Sequence, residues 1–211
     1  MTDAKAVPIK DLILIPSLVT LAITLLRLIG ELQNWSPALF NKSAGGGGAL
    51  VGISWLIVVF GFYFGWRLAQ MGHAPASAGK VAGTSLLVVL IVGGASYLAG
   101  RISQNAFFGA FIVGSVLAVV LTKKLWPALW QTLLAYAFAA RIPVAIVMLA
   151  AILGNWGTHY DVPPPNFPDT YSPLMKWVLI GLVPQMTIWI YLTVVGGLFF
   201  GGIAATVARK R

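Results

Sequence analysis

Six long apolar stretches, joined by short polar links, constrain this chain more than any other feature of its sequence. The stretches cover residues 12–29, 49–68, 81–98, 107–121, 127–153 and 174–207. A helix crosses the hydrocarbon core of a bilayer in about 20 apolar residues, so we interpret each stretch as a span. Because a bilayer offers the backbone no hydrogen-bond partners, runs of this kind are expected to cross as helices.

The composition supports the same interpretation. Hydrophobic residues make up 59% of the chain and charged residues only 9%, which is too little polar surface to cover a water-soluble globule. We therefore predict an all-α fold, a polytopic transmembrane helix bundle of six spans, with residues 1–211 forming a single membrane domain. The absence of cysteine excludes a disulfide framework, a cysteine-ligated metal site and a thiol nucleophile.

The basic residues predict how the chain is oriented. The 14 lysines and arginines, which give a net charge of +9, are scattered at the ends of apolar runs and form no patch, so nucleic acid is not an expected partner. Nine lie on the side of the two termini: Lys5, Lys10, Arg67, Lys80, Lys123, Lys124, Arg209, Lys210 and Arg211. Four lie on the other side: Arg27, Lys42, Arg101 and Lys176. Positive residues favour the cytoplasmic side, so we expect a multi-pass protein of the cytoplasmic or inner membrane with both termini in the cytoplasm.

Three segments should depart from regular helix. The glycine run at residues 45–48 predicts a flexible hinge before the second span. The link at residues 154–173 is rich in proline and aromatic residues, and we expect it to be ordered but not helical, on the outer face. Pro184 lies inside the sixth span, where it predicts a kink or a break.

Arg141 is the sharpest candidate for a functional residue, because it lies inside the fifth span. An arginine at the bilayer centre costs about 2.5–3.5 kcal/mol on insertion scales, so it should face a partner or water. Pro143 cannot donate to the carbonyl of Ala139, which leaves an acceptor free nearby. Two interpretations stay open: Arg141 attracts an anion in a pathway, or its long side chain extends to the cytoplasmic headgroups.

Two further features of the spans carry alternatives. Pro184 and Gln185 form a second polar spot, either a substrate site with exposed carbonyls or a simple kink. Gly61 and Gly65 are four residues apart, as are Gly197 and Gly201, so each pair lies on one helix face and permits close helix contact. That contact lies either within the monomer or in a homodimer.

His159 and Asp161 are the only histidine and carboxylate placed close together. They are a weak candidate for acid–base chemistry or metal binding on the outer face. A zinc site normally needs three or four protein ligands, so turn formation and pairing with Arg101 or Lys176 are favoured. We predict no metal and no cofactor. The sequence contains no phosphate-binding loop or nucleophile elbow, so we expect a protein that is not an enzyme, with an intramembrane enzyme as an alternative.

Two functional hypotheses follow from these residues. The first is a small permease or channel-like protein in which Arg141 and the Pro184/Gln185 break line a route for an anionic or amphipathic molecule. The second is a non-transporting membrane subunit or organiser that binds lipids, a second copy or another membrane protein through its glycine faces. A polar cavity that reaches Arg141 would favour the first hypothesis, and a solid bundle with exposed glycine faces would favour the second.

Overall fold

The computed structural model describes residues 6–46 and 49–208. The expectations that concern Lys5, the last two glycines of the run at residues 45–48 and the basic residues 209–211 fall outside this described part. The helices are α1 (Ile9–Leu32), α2 (Leu56–Gln70), α3 (Ala78–Gly100), α4 (Gln104–Thr122), α5 (Pro127–Gly154) and α6 (Pro173–Ala208). No strand occurs in the described part of the chain.

Five of these helices, all except α2, are long and apolar enough to cross a membrane. Their outward surfaces are covered with large apolar side chains such as Leu14, Leu90 and Leu121. An all-helical bundle with this surface fits a membrane and would be poorly solvated in water.

Helix α2 is shorter than the second predicted span and begins later. It starts at Leu56, whereas the sequence predicted a span from residue 49. In the turns before it, the N–H of Leu50 donates to the carbonyl of Ala38 and that of Val51 to the carbonyl of Leu39. These bonds satisfy two backbone donors of the non-helical turns. The 15 residues of α2 span about 22 Å, less than the roughly 30 Å of a bilayer core.

The glycine pairs of α2 and α6 meet inside the monomer. A side-chain carbon on Gly61 would lie 3.1 Å from the Cα atom of Gly197, and Gly65 is similarly placed against the backbone of Gly201. Since neither helix has a side chain at these points, the two backbones touch. Both predicted glycine faces are therefore covered by each other.

Helix α6 departs from α-helical geometry on both sides of Pro184. Its turns are π-helical at Trp177–Leu182 and at Leu192–Gly196. Between them Thr187 is distorted, with φ −119° and ψ −74°. The interruption predicted at Pro184 thus takes the form of widened turns spread along the helix. Turns of this type are frequent at functional sites.

The link at residues 155–172 is not helical, and its segment 158–162 packs against the bundle. Helix α5 ends where Asn155 takes a left-handed conformation, with φ 49°, and the chain turns back over the end of the bundle. Tyr160 is buried there in an apolar cluster with Val144, Met148 and Ala151, and Leu28 of α1 packs against it. Glu31, in the last turn of α1, lies at the same end of the bundle. We call this end, which also holds the link after α5, the Glu31 end.

Candidate functional site

Arg141 lies in the middle of α5 and faces the interior of the bundle. It follows Pro127 by 14 residues, or about 21 Å of helix, so it lies near the midpoint of α5. The residue is only 3% exposed. Its guanidinium carbon lies 4.5 Å from the ring centre of Trp189, which places the charge at the interface between α5 and α6.

No carboxylate within the described part of the chain balances this charge. Among the described residues, no carboxylate contacts Arg141 and its Nε atom has no hydrogen-bond partner. The sequences of α5 and α6 contain only one other charged residue, Lys176, in the first turn of α6. A desolvated cation–π contact contributes about 2 kcal/mol, less than the roughly 2.5–3.5 kcal/mol needed to bury an arginine in hydrocarbon. The contact with Trp189 therefore offsets only part of the cost of burying this charge.

The other intramembrane candidates lie on the same two helices. Gln185 is 7% exposed, and its amide nitrogen lies 3.8 Å from the sulfur of Met148 on α5. Its Oε1 atom has no hydrogen-bond partner within the described chain. Pro143 follows Arg141 by two residues on α5, and Pro184 precedes Gln185 on α6. The interface between α5 and α6 thus holds two buried polar side chains with unused hydrogen-bonding capacity.

A polar face on α1, which the sequence interpretation missed, leads from this region to the Glu31 end. Polar residues recur on it at alternating spacings of three and four residues, namely Ser17, Thr20, Thr24, Arg27 and Glu31. We call this set the α1 polar face. The hydroxyls of Thr20 and Tyr136 are 2.7 Å apart, and Tyr136 lies within electrostatic range of Arg141. The spacing of three and four was the available signal.

Glu31 connects α1 to the link that follows α5. The carboxylate is fully buried, at 0% exposure. Its Oε1 atom accepts a hydrogen bond from Arg27 Nε at 2.8 Å and lies 2.6 Å from His159 Nδ1. Its Oε2 atom accepts from the backbone N–H of His159 at 2.8 Å. Arg27 also donates to the carbonyl of Asn41 at 3.1 Å, so three segments of the chain meet at one ion pair.

Asp161 forms a turn, as the sequence favoured, but among the described residues neither His159 nor Asp161 forms an ion pair with Arg101 or Lys176. Asp161 accepts hydrogen bonds of 2.8 Å and 2.7 Å from the backbone N–H groups of Gly157 and Thr158, and so stabilises a turn. Burial lowers the pKa of His159, although the contact with Glu31 opposes the shift. In the described ranges, no three His, Asp or Glu side chains are placed to hold a metal ion.

Two open surface pockets lie at the ends of the bundle. One, of about 420 Å³, is lined by residues that include His73, Lys124 and Trp126. The other, of about 360 Å³, is lined by residues that include Tyr97 and Arg101. Neither is lined by Arg141. Comparison with protein-family models, curated proteins and solved structures finds no match to this chain.

Proposed function

We propose that this chain is a small membrane permease or channel-like protein that binds an anionic or amphipathic molecule at Arg141, between α5 and α6. The observation that carries the proposal is a guanidinium buried to 3% exposure in the middle of a 28-residue apolar helix without a protein counter-ion in the described chain.

The electrostatic argument is one of charge balance. A lone charge in a low-dielectric interior is strongly destabilising, and the removal of that cost stabilises any complex that supplies the opposite charge. Trp189 offsets only part of the cost. An anion beside Arg141 would supply the remainder, so affinity at this point comes mainly from the protein's own uncompensated charge.

Access to Arg141 requires that α5 and α6 separate. The π-helical turns and the distorted Thr187 interrupt the regular α-helical geometry of α6, which supports movement there. In this proposal both termini are cytoplasmic and the Glu31 end faces outward. Helix α2, together with the turns before it, makes the second of six crossings.

The experiment is a mass measurement of small molecules that co-purify with the protein. Wild type is compared with Arg141→Leu and with Arg101→Leu, which removes an exposed arginine at the Glu31 end. We expect an anionic molecule to be enriched in wild type and in Arg101→Leu and to be lost from Arg141→Leu. An identical small-molecule content in all three proteins, with Arg141→Leu folded, would overturn the proposal.

Permeation is tested separately from binding, in proteoliposomes loaded with the molecule identified in this way. Arg141→Leu should reduce its efflux to the rate of protein-free liposomes, whereas Arg101→Leu should leave efflux unchanged. Binding that depends on Arg141 without any efflux would contradict the permeation half of the proposal.

The alternative, a non-transporting organiser, is favoured by a different surface from the one predicted. The glycines of α2 and α6 are covered, but Gly83, Gly93 and Gly94 of α3 have open space where a side chain would be. Gly83→Leu and Gly94→Leu should then disrupt an oligomer that is detected by cross-linking in native membranes. A monomeric wild type would exclude self-association through this face.

A further inference from the structure

We infer that the molecule recognised at Arg141 is a monocarboxylate with an apolar tail, held by the edge of the guanidinium while Trp189 covers the face. This inference rests on the proposed function and specifies its ligand class. It follows from the geometry of the cation, from the count of charges and from the side chains around it.

One edge of the Arg141 guanidinium carries a buried donor that has no protein partner in the described chain. Trp189 lies over Arg141 at 4.5 Å from ring centre to guanidinium carbon, so it contacts the cation from one side. All five N–H donors of an arginine lie in the plane of the group. The unpartnered Nε atom and the neighbouring terminal nitrogen form one side edge of that plane, whose two parallel donors match the two oxygens of a carboxylate.

A spherical halide matches this edge less well. It presents one acceptor, so it cannot accept two parallel hydrogen bonds with good geometry at both nitrogens. A carboxylate is planar and can lie in the plane of the guanidinium, next to the indole. The orphaned Nε atom therefore favours a carboxylate over chloride.

The charge count favours a monoanion. Arg141 is the only charged residue of α5. The only charged residue of α6, Lys176, lies 13 positions before Trp189 in the sequence. One guanidinium neutralises one negative charge. A dicarboxylate or a doubly charged phosphate would leave a second charge buried without a partner, which is strongly unfavourable.

The surroundings favour an apolar tail. On α5 the turns on either side of Arg141 bury Ala140, Val144 and Ala145, which carry no hydrogen-bonding side chains. A short aliphatic chain meets these conditions.

The experiment measures thermal stabilisation of the purified full-length protein at pH 7.5 by hexanoate. Four matched probes accompany it: hexan-1-ol lacks the charge, adipate carries two, and chloride and inorganic phosphate lack the tail. We expect stabilisation by hexanoate that saturates with concentration and is at least several-fold larger than that caused by any other probe at equal concentration. Equal effects of hexanoate and hexan-1-ol, or a larger effect of adipate, phosphate or chloride, would overturn the inference.

Variants locate the effect at the guanidinium edge. Arg141→Lys keeps the charge but removes the two parallel donors, so the apparent dissociation constant for hexanoate should rise about tenfold or more. Trp189→Leu should weaken hexanoate binding by a smaller factor, because the cation loses its aromatic cover. Arg101→Lys and Trp66→Phe change an exposed arginine and an exposed tryptophan and should leave the constant unchanged.

Failure of this inference is distinguishable from failure of the proposed function. If an anion other than a monocarboxylate co-purifies with wild type but not with Arg141→Leu, the function stands and the ligand class is wrong. If Arg141→Lys fails to fold, the preference of wild type among the five probes still decides the ligand class. If hexanoate stabilises Arg141→Leu as much as wild type, the site is not at Arg141 and the inference is wrong.

Discussion

Replacing Glu31 with leucine should destabilise the folded protein by about 3–5 kcal/mol, because it leaves a buried arginine without its counter-ion. Arg27 is 8% exposed and Glu31 is 0% exposed, and the hydrogen bond between them is 2.8 Å long. The substitution also removes the acceptor of the His159 backbone N–H, a loss of about 1–3 kcal/mol when such a donor stays buried.

The double variant Arg27→Met/Glu31→Leu separates these two contributions. It removes both charges together, so the uncompensated charge no longer contributes, and the losses that remain are those of hydrogen bonds such as the ones to the His159 N–H and the Asn41 carbonyl. The double variant should therefore be more stable than Glu31→Leu alone. This order is unusual for a second substitution and follows only if the two side chains form a buried pair.

The assay is reversible unfolding in mixed micelles with increasing SDS, followed by far-UV circular dichroism. Asp169→Asn removes an exposed carboxylate in the same link and should change the free energy of unfolding by less than about 0.5 kcal/mol. If the losses of the two single variants simply add in the double variant, Arg27 and Glu31 are not energetically coupled and the reasoning is refuted.

Two further predictions concern the link and the helix contacts. The lowered pKa of His159 means that the detached link binds a proton more readily than the packed one. Docking should thus weaken as pH falls below about 6.5, by at most about 1.4 kcal/mol per pH unit. Hydrogen exchange at residues 156–162, compared at pH 7.5 and 5.5, measures this weakening. His159→Gln should abolish the pH dependence, even though Glu31, Arg27, Asp161 and Tyr160 remain. A pH response that survives in that variant would rule His159 out. Gly65→Ala should reduce stability markedly, because the new side chain would meet the backbone of Gly201. Gly93→Ala, at a position with open space, should raise stability by up to about 1 kcal/mol. Equal effects of the two substitutions in a thermal melt would contradict the close contact.

The helices were predictable from the sequence because lipid imposes a simple rule on the backbone. A run that is apolar throughout must form its own hydrogen bonds, so α1, α3, α4, α5 and α6 fall close to the predicted stretches. The same rule fails at the start of α2, where a non-helical segment is tolerated because the carbonyls of Ala38 and Leu39 accept hydrogen bonds from its backbone. Apolar composition cannot reveal such local partners.

The candidate site was predictable only in part. Arg141 is conspicuous because it is a charge inside an apolar run, but its contact with Trp189 joins residues 48 positions apart along the chain. Likewise, Glu31 and His159 are separated by 128 residues, and neither local sequence points to the other. Such pairs depend on which helices become neighbours in the bundle. The periodicity of a single helix does not reveal its neighbours. The α1 polar face, in contrast, was visible as a spacing pattern.

The orientation of the Arg141 side chain is tested most directly by oxygen accessibility of nitroxide labels on α5. Since the sequence contains no cysteine, single labels can be placed at Arg141→Cys and at Ile142→Cys, its neighbour at the same depth, which is 47% exposed. In lipid bilayers we predict an oxygen collision rate several-fold lower at position 141 than at position 142. Equal rates at the two positions would show that residue 141 faces lipid, and would contradict an anion site between α5 and α6.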